Sequence, residues 1–155
     1  VSDLRLTWQP TRGAAALSLE ANDLATEEGL ETAVFLSLFL DRQAEPGDVL
    51  PDETGDKRGW WGDSFPVVPG DKMGSRLWLL ARSKQQPEVA LRAEEYAREA
   101  LTWLLEDRVS DKVDVSARLA GNGVLALSVV IHRPLRATAE YRYNYVWASQ
   151  EARRA

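Results

Sequence analysis

The sequence predicts an α+β fold: a C-terminal three-stranded antiparallel meander packed on two main helices, preceded by a small N-terminal β-hairpin. Two observations carry this reading. Apolar residues recur at helical spacing in two stretches before residue 106, and from residue 112 onward the apolar period drops to two. A third observation, a Pro- and Gly-rich connection over residues 43–71, separates the two helical stretches and forbids a long regular element between them. The length of 155 residues suits one domain over residues 1–155, able to bury roughly 68–70% of the surface that the unfolded chain exposes.

The hairpin is expected over residues 4–19. Leu4, Leu6 and Trp8 alternate with polar neighbours, a turn follows at Pro10 to Gly13, and a second short run reaches Leu17 and Leu19. A helix over residues 26–41 follows from Thr26 as N-cap with Glu27 and Glu28 in the first turn, where acids complement the helix dipole. Its apolar residues, Leu30, Ala33, Val34, Phe35, Leu36, Leu38, Phe39 and Leu40, occupy nearly every face, so the helix must be surrounded by protein. The connection that follows also holds Trp60-Trp61, which is not a disordered-linker composition.

Residues 75–106 read as helices, a short one from Ser75 to Arg82 and a longer one opened by Pro87, which is tolerated at the first helical position. Val89, Ala93, Tyr96, Ala97, Ala100 and Leu104 form its core face, and Glu94 with Arg98 makes a favourable i,i+4 pair on the wet side. The meander over residues 112–147 follows from three alternating runs: Val113, Val115, Ala117, Leu119; Leu125, Leu127, Val129, Ile131; and Tyr141, Tyr143, Tyr145, Trp147. At Gly121-Asn122-Gly123, a two-residue loop would set Leu119 against Ala126. A three-residue loop with a left-handed glycine pairs Leu119 with Leu125, Val115 with Val129 and Val113 with Ile131, keeping both apolar sets on one face, and is the favoured register. Pro134 ends the second strand.

Composition excludes several function classes. Nineteen Lys and Arg against 24 Asp and Glu give a net charge of -5 with no basic stripe, so nucleic-acid binding is not expected. The absence of cysteine removes disulfides, thiol nucleophiles and Cys-ligated metal. Residues 1–10 show no signal-peptide pattern, and the longest apolar run, about residues 33–40, is far shorter than the roughly 20 residues that span a bilayer. No targeting signal, membrane partner or small-molecule substrate is expected.

His132 is the single histidine, at a strand end beside Arg133 and Pro134, and reads as a surface residue rather than a triad member or ligand. The carboxylates leave an alternative open: a glycosidase needs two acids at a suitable separation, and Asp63 beside Trp60-Trp61, with Glu106 as partner, can be imagined in those roles. Acids beside glycine and proline are also ordinary turn chemistry, and the preferred reading is a chain with no catalytic residues, no metal and no cofactor. Trp60-Trp61 admits three readings: an anchor of the loop in its own core, a partner contact, or a ligand platform. A weaker adaptor reading has a helix bound near Trp78 and Trp103.

Arg58-Gly59-Trp60-Trp61-Gly62-Asp63, then Gly74-Ser75-Arg76-Leu77-Trp78-Leu79-Leu80, then Glu95-Tyr96-Ala97-Arg98-Glu99-Ala100-Leu101-Thr102-Trp103-Leu104, make the chain resemble the small tail protein of Mu-like phages from about Leu17 to Trp147. More distantly, its plan is similar to the small baseplate wedge subunit of T-even phages and its type VI secretion relative. The resemblance implies a structural subunit of a contractile-tail baseplate wedge, assembled in the host cytoplasm and located in the virion. Its implied partners are other wedge proteins and the tail sheath, whose first ring it would template by strand pairing. In the wider group a Glu-Pro-Arg motif ends the long helix and contacts the larger wedge subunits. Glu106 and Arg108 match it here, with Asp107 in place of the proline. The partner-binding residues expected on these grounds are Trp60, Trp61, Asp63, Arg76, Glu106, Arg108, Tyr143 and Tyr145, with residues 140–147 as the candidate edge strand.

Overall fold

The computed structural model describes residues 3–9, 14–17, 19, 20, 23, 24, 26, 27, 30–52, 54–81, 83, 86–121, 123–134 and 136–146. The turn expected at residues 10–13 and the positions Glu28, Gly29, Arg82, Asn122 and Trp147 lie outside them.

The expected hairpin is present as β2 (Leu6–Gln9) against β3 (Ala14–Leu17), with Leu6 opposite Leu17. It is nested inside a second pairing, β1 (Asp3–Leu4) with β6 (Thr26–Glu27), and is followed by a two-residue pairing of β4 (Leu19–Glu20) with β5 (Asp23–Leu24). This corrects the helix start. Thr26 and Glu27 are strand residues, and α1 runs over Glu31–Phe39 with Glu31 in its first turn. An N-cap stabilises by about 1 kcal/mol, a preference easily overridden when the same backbone finds a strand partner. Thr32 then ties the strands to the helix: its hydroxyl donates to the Leu4 carbonyl at 3.0 Å and accepts from the Leu6 amide at 3.1 Å.

As its composition demanded, α1 has no fully exposed residue, and Val34, Phe35 and Leu38 are buried. The chain leaves it through a parallel bridge between Asp41 and Ser75, which brings the two ends of the long connection together. The Arg42 amide donates to the Ser75 carbonyl at 3.0 Å, the Ser75 amide to the Leu40 carbonyl at 2.9 Å, and the Ser75 hydroxyl to the Leu38 carbonyl at 2.5 Å. Gly74 makes this closure possible. Its φ is +93°, and a Cβ there would lie 2.5 Å from the Leu40 carbonyl oxygen, so both the backbone conformation and the available space require glycine.

The short helix expected after Ser75 is a single 3-10 turn, Leu77–Leu80, all four residues of which are buried. α2 (Pro87–Ala100) opens on its proline as expected but ends sooner, and a separate turn, α3 (Trp103–Glu106), follows. At the break the Thr102 hydroxyl donates to the Arg98 carbonyl at 3.1 Å, a back-bond of the kind that bends helices.

The meander is β7 (Lys112–Gly121), β8 (Val124–His132) and β9 (Ala139–Val146), in the order β7-β8-β9. Leu119 faces Leu125, Val115 faces Val129 and Val113 faces Ile131, the register that keeps the apolar sets together. It is reached through an irregularity: Gly121 pairs with Val124, leaving Ala120 as a bulge, with positive φ at Gly121 and Gly123. One face of the sheet carries Val115, Leu125, Leu127, Val129, Ile131, Tyr143 and Tyr145, which pack on α1, Leu77, Leu80, the Val89-Ala93-Ala97 stripe of α2, Leu101 and Leu104. A smaller cluster of Ala44, Trp78 and Leu79 sits under the long connection.

Candidate partner interface

The connection between Asp41 and Ser75 has a fastened base and an apolar tip. At the base, the Arg58 guanidinium pairs with Asp41 at 2.6 Å and lies 4.3 Å over the Trp78 ring, whose indole N–H donates to the Arg42 carbonyl at 2.8 Å. The Ala44 amide adds a bond to the Lys57 carbonyl at 2.9 Å. At the tip, a 3-10 turn over Trp61–Ser64 is tied to the returning chain by the Asp63 carboxylate, which accepts the Met73 amide at 3.1 Å. Trp60 and Trp61 lie 5.5 Å apart at 47°, and a Cβ at position 62 would run into the Trp60 ring, so Gly62 gives that ring its resting place.

The tip does not anchor itself in the core. Trp61 is 77% exposed, Phe65 82%, and Val67 fully; Trp60, Val68 and Met73 are exposed as well. Of the readings open for the tryptophan pair, own-core anchoring is therefore set aside. Periodicity could not have found Phe65, Val67 and Val68, because in a Pro-interrupted loop the direction of a side chain is not a function of its number.

Arg76 is an internal tie. Its Nε and Nη2 donate to Glu99 Oε2 at 3.0 and 2.8 Å, and its Nη1 donates to Asp48 at 2.9 and 3.1 Å. Arg42 reaches the other oxygen of Glu99 at 3.2 Å, and the Tyr96 ring lies 4.7 Å from the Arg76 guanidinium carbon. Burial works against the charge on Arg76, but the hydrogen bonds to Glu99 and Asp48 and the charges of those acids outweigh it and raise its pKa. The guanidinium staples the connection to α2 and is not on offer to a partner.

The two edges of the sheet differ. On β7 the Val115 carbonyl accepts from Arg98 Nη2 at 3.0 Å and the Ala117 amide donates to Glu94 Oε1 at 3.0 Å, so the odd-numbered residues of β7 turn their backbone groups away from β8. The even residues of β7 therefore bond β8, the odd residues of β8 bond β9, and Glu140, Arg142 and Asn144 of β9 point their amides and carbonyls outward. Among the described residues no strand lies beyond β9. Tyr143 and Tyr145, expected at a partner surface, are buried instead. Tyr143 meets Phe39 edge-on at 5.2 Å and Tyr145 stacks on it at 5.8 Å. Their rings line the core and their backbones face inward, so Glu140, Arg142 and Asn144 replace them as the outward-facing positions.

The sequence profile of the phage protein GP46 family matches residues 30–138, from the start of α1 to the turn before β9. The chain is also 38% identical over 144 residues to baseplate protein gp46 of Escherichia phage Mu, covering 93% of this chain and 96% of the relative. The chain belongs to the phage protein GP46 family. A second relative, Mu-like prophage FluMu protein gp46 of Haemophilus influenzae, is 36% identical over 148 residues, with 96% and 99% of the two chains covered.

In this GP46-family chain, Glu106, Asp107 and Arg108 are all exposed at the end of α3. The Asp107 amide donates to the Trp103 carbonyl at 2.9 Å, a bond that a proline could not make. Arg108 then takes a left-handed conformation, φ +57°, which ends the helix. Asp63 and Glu106, the pair imagined for glycosidase chemistry, have separate surroundings: one carboxylate oxygen of Asp63 is engaged by a loop amide, and Glu106 sits in the last turn of an exposed helix end. A hollow of about 220 Å³ has Leu30, Val109, Arg133, Pro134 and Arg136 in its lining, and no carboxylate lines it among the described residues.

His132 Nε2 lies 2.9 Å from Asp114 on the outer sheet face, where Lys112 also reaches Asp114 at 2.7 Å. Those two hydrogen bonds hold the Asp114 carboxyl below its ordinary range, that of Lys112 being the larger influence. The adaptor reading loses its surface. Trp78 is buried, and the Trp103 indole, half-buried, donates to the Ser37 hydroxyl at 3.0 Å.

Proposed function

We propose that this chain is a non-enzymatic structural subunit of a contractile phage tail baseplate, placed in the wedge, where it contacts larger wedge subunits and templates the first sheath ring by strand pairing. It would be assembled in the host cytoplasm and reside in the virion. The observation that carries the reading is the loop tip. Trp61, Phe65, Val67 and Val68 stand in water on a segment whose base is held by an ion pair, a cation–π contact and a parallel bridge. Several large apolar side chains exposed on one fastened segment favour a surface that is buried on assembly. Membership of the GP46 family and the similarity to baseplate protein gp46 of phage Mu support the same setting.

Two further surfaces serve the same role. The exposed Glu106 and Arg108 present a carboxylate and a guanidinium to the helical core of the larger wedge subunits, and the outward backbone of β9 offers main-chain hydrogen bonds to an incoming strand. Baseplate assembly in a phage lacking its own copy, complemented by variants of this chain, tests each surface. Glu106→Ala and Arg108→Ala are expected to leave the isolated chain folded and to reduce its incorporation into the wedge; normal incorporation of both would remove that contact. Asn144→Pro deletes one outward amide of β9 and is expected to permit baseplate incorporation while abolishing sheath polymerisation. Full-length sheaths on the Asn144→Pro baseplate would refute strand pairing at β9.

A further inference from the structure

One edge of the sheet is bare among the described residues, whereas the other is occupied by side chains that imitate a strand. Val115 O and Ala117 N–H are the two groups that a single residue of a parallel strand would bridge with its own N–H and C=O. Here Arg98 Nη2 supplies the donor at 3.0 Å and Glu94 Oε1 supplies the acceptor at 3.0 Å, both within the range of ordinary ladder bonds. The two side chains also hold each other, since Glu94 Oε2 accepts from Arg98 Nη2 at 2.8 Å. An i,i+4 pair that sequence spacing places on the solvent side of α2 therefore spends its hydrogen bonds on β7.

We infer that the Glu94–Arg98 pair is a lock on the β7 edge, which confines strand addition to β9 so that the subunit accepts one extended segment and not two. The inference deepens the strand-pairing reading above and rests on it for the role of β9. α2 is suited to hold the lock because the adjoining face is buried through Val89, Ala93 and Ala97, which fixes the helix against the sheet. The Glu94 carboxyl is held below the ordinary range chiefly by the Ala117 amide, against the opposing effect of burial, so it stays ionised as an acceptor at neutral pH. No such cover exists on β9 among the described residues, where the Arg142 guanidinium pairs along its own strand with Glu140 at 2.8 Å. A segment added at β9 would set its outer side chains beside Glu140, Arg142 and Asn144 and its inner ones beside Tyr141, Tyr143 and Tyr145. The fitting partner is thus an extended peptide that alternates polar and apolar residues. Unguarded edges pair with whatever strand they meet, and a subunit with two open edges would propagate sideways into chains.

The test uses the full chain with Glu94→Ala, Arg98→Ala and, as a control that keeps the acceptor oxygen, Glu94→Gln. Arg98 is about half exposed and alanine favours helices, so Arg98→Ala keeps the fold even where Glu94→Ala does not. Mass measured by analytical ultracentrifugation is expected to rise above that of the parent in the folded alanine variants, while Glu94→Gln stays with the parent. In the associated species the outward amides of Val113, Val115, Ala117 and Leu119 are expected to gain hydrogen-exchange protection. Folded alanine variants that keep the parent's mass, or that associate without protecting those amides, would overturn the lock. The Asn144→Pro experiment reports on β9 separately, so a failure of strand pairing there is distinguishable from a failure of the lock.

Discussion

Arg76→Ala is expected to destabilise the chain by about 3–5 kcal/mol, the usual result of removing one partner from a largely buried ion pair. Only 17% of the Arg76 side chain is exposed, and it forks between Asp48 and Glu99, with side-chain exposures of 11% and 29%. Without it those two acids remain close together and under-solvated, with Arg42 left as the nearest compensation for Glu99. For a chain of this size the loss corresponds to a fall in Tm of about 6–20 °C, measurable by calorimetry or circular dichroism. Arg76→Lys should recover only part of it, because an ammonium cannot reproduce the fork that joins both acids or lie as a plane against Tyr96. A shift below about 1 kcal/mol in Arg76→Ala would contradict an internal tie and return this residue to the partner surface.

Trp61→Ala should behave in the opposite way. Its ring makes little contact with the rest of the chain, so unfolding stability should change by no more than about 0.5 kcal/mol. If the tip is buried in the baseplate, Trp61 is a candidate hot spot, and truncation of such residues costs about 2 kcal/mol or more, an affinity loss of at least about 30-fold. The measurement is binding of purified Trp61→Ala, alone and with Phe65→Ala, to baseplate complexes prepared from a phage deleted for this subunit. Parental affinity in the double variant would remove the tip from the interface. The contrast with Arg76→Ala is diagnostic, since one substitution is expected to act on folding and the other on assembly, although both residues lie in or beside the same connection.

The residues considered for partner contact were legible in the sequence to differing degrees. Trp60-Trp61 could be singled out because two large aromatics stood in a Pro- and Gly-rich segment, yet their placement depended on Gly62 making room for one ring and on Asp63 tying the turn to Met73. Tyr143 and Tyr145 were misplaced for a definite reason. An aromatic strand reads the same whether its rings meet a partner or a helix of the same chain, and here Phe39 of α1 takes them. Glu94 and Arg98 were recognised as a pair, but their second set of hydrogen bonds goes to residues 17 and 23 positions away, beyond the reach of helical spacing.

By itself the sequence determined the period-two strands of the meander and their register, the proline that opens α2, and the connection that could hold no long helix, because each depends on neighbours within a few residues. Tertiary structure decided which signals prevailed where two competed. Thr26 and Glu27 joined β1 rather than capping α1, and Arg76 was drawn inward by Asp48 and Glu99. It also decided which sheet edge was covered and which was left open among the described residues. Local preferences of about 1 kcal/mol can be outweighed by contacts between distant segments, and those contacts exist only once the chain has closed upon itself.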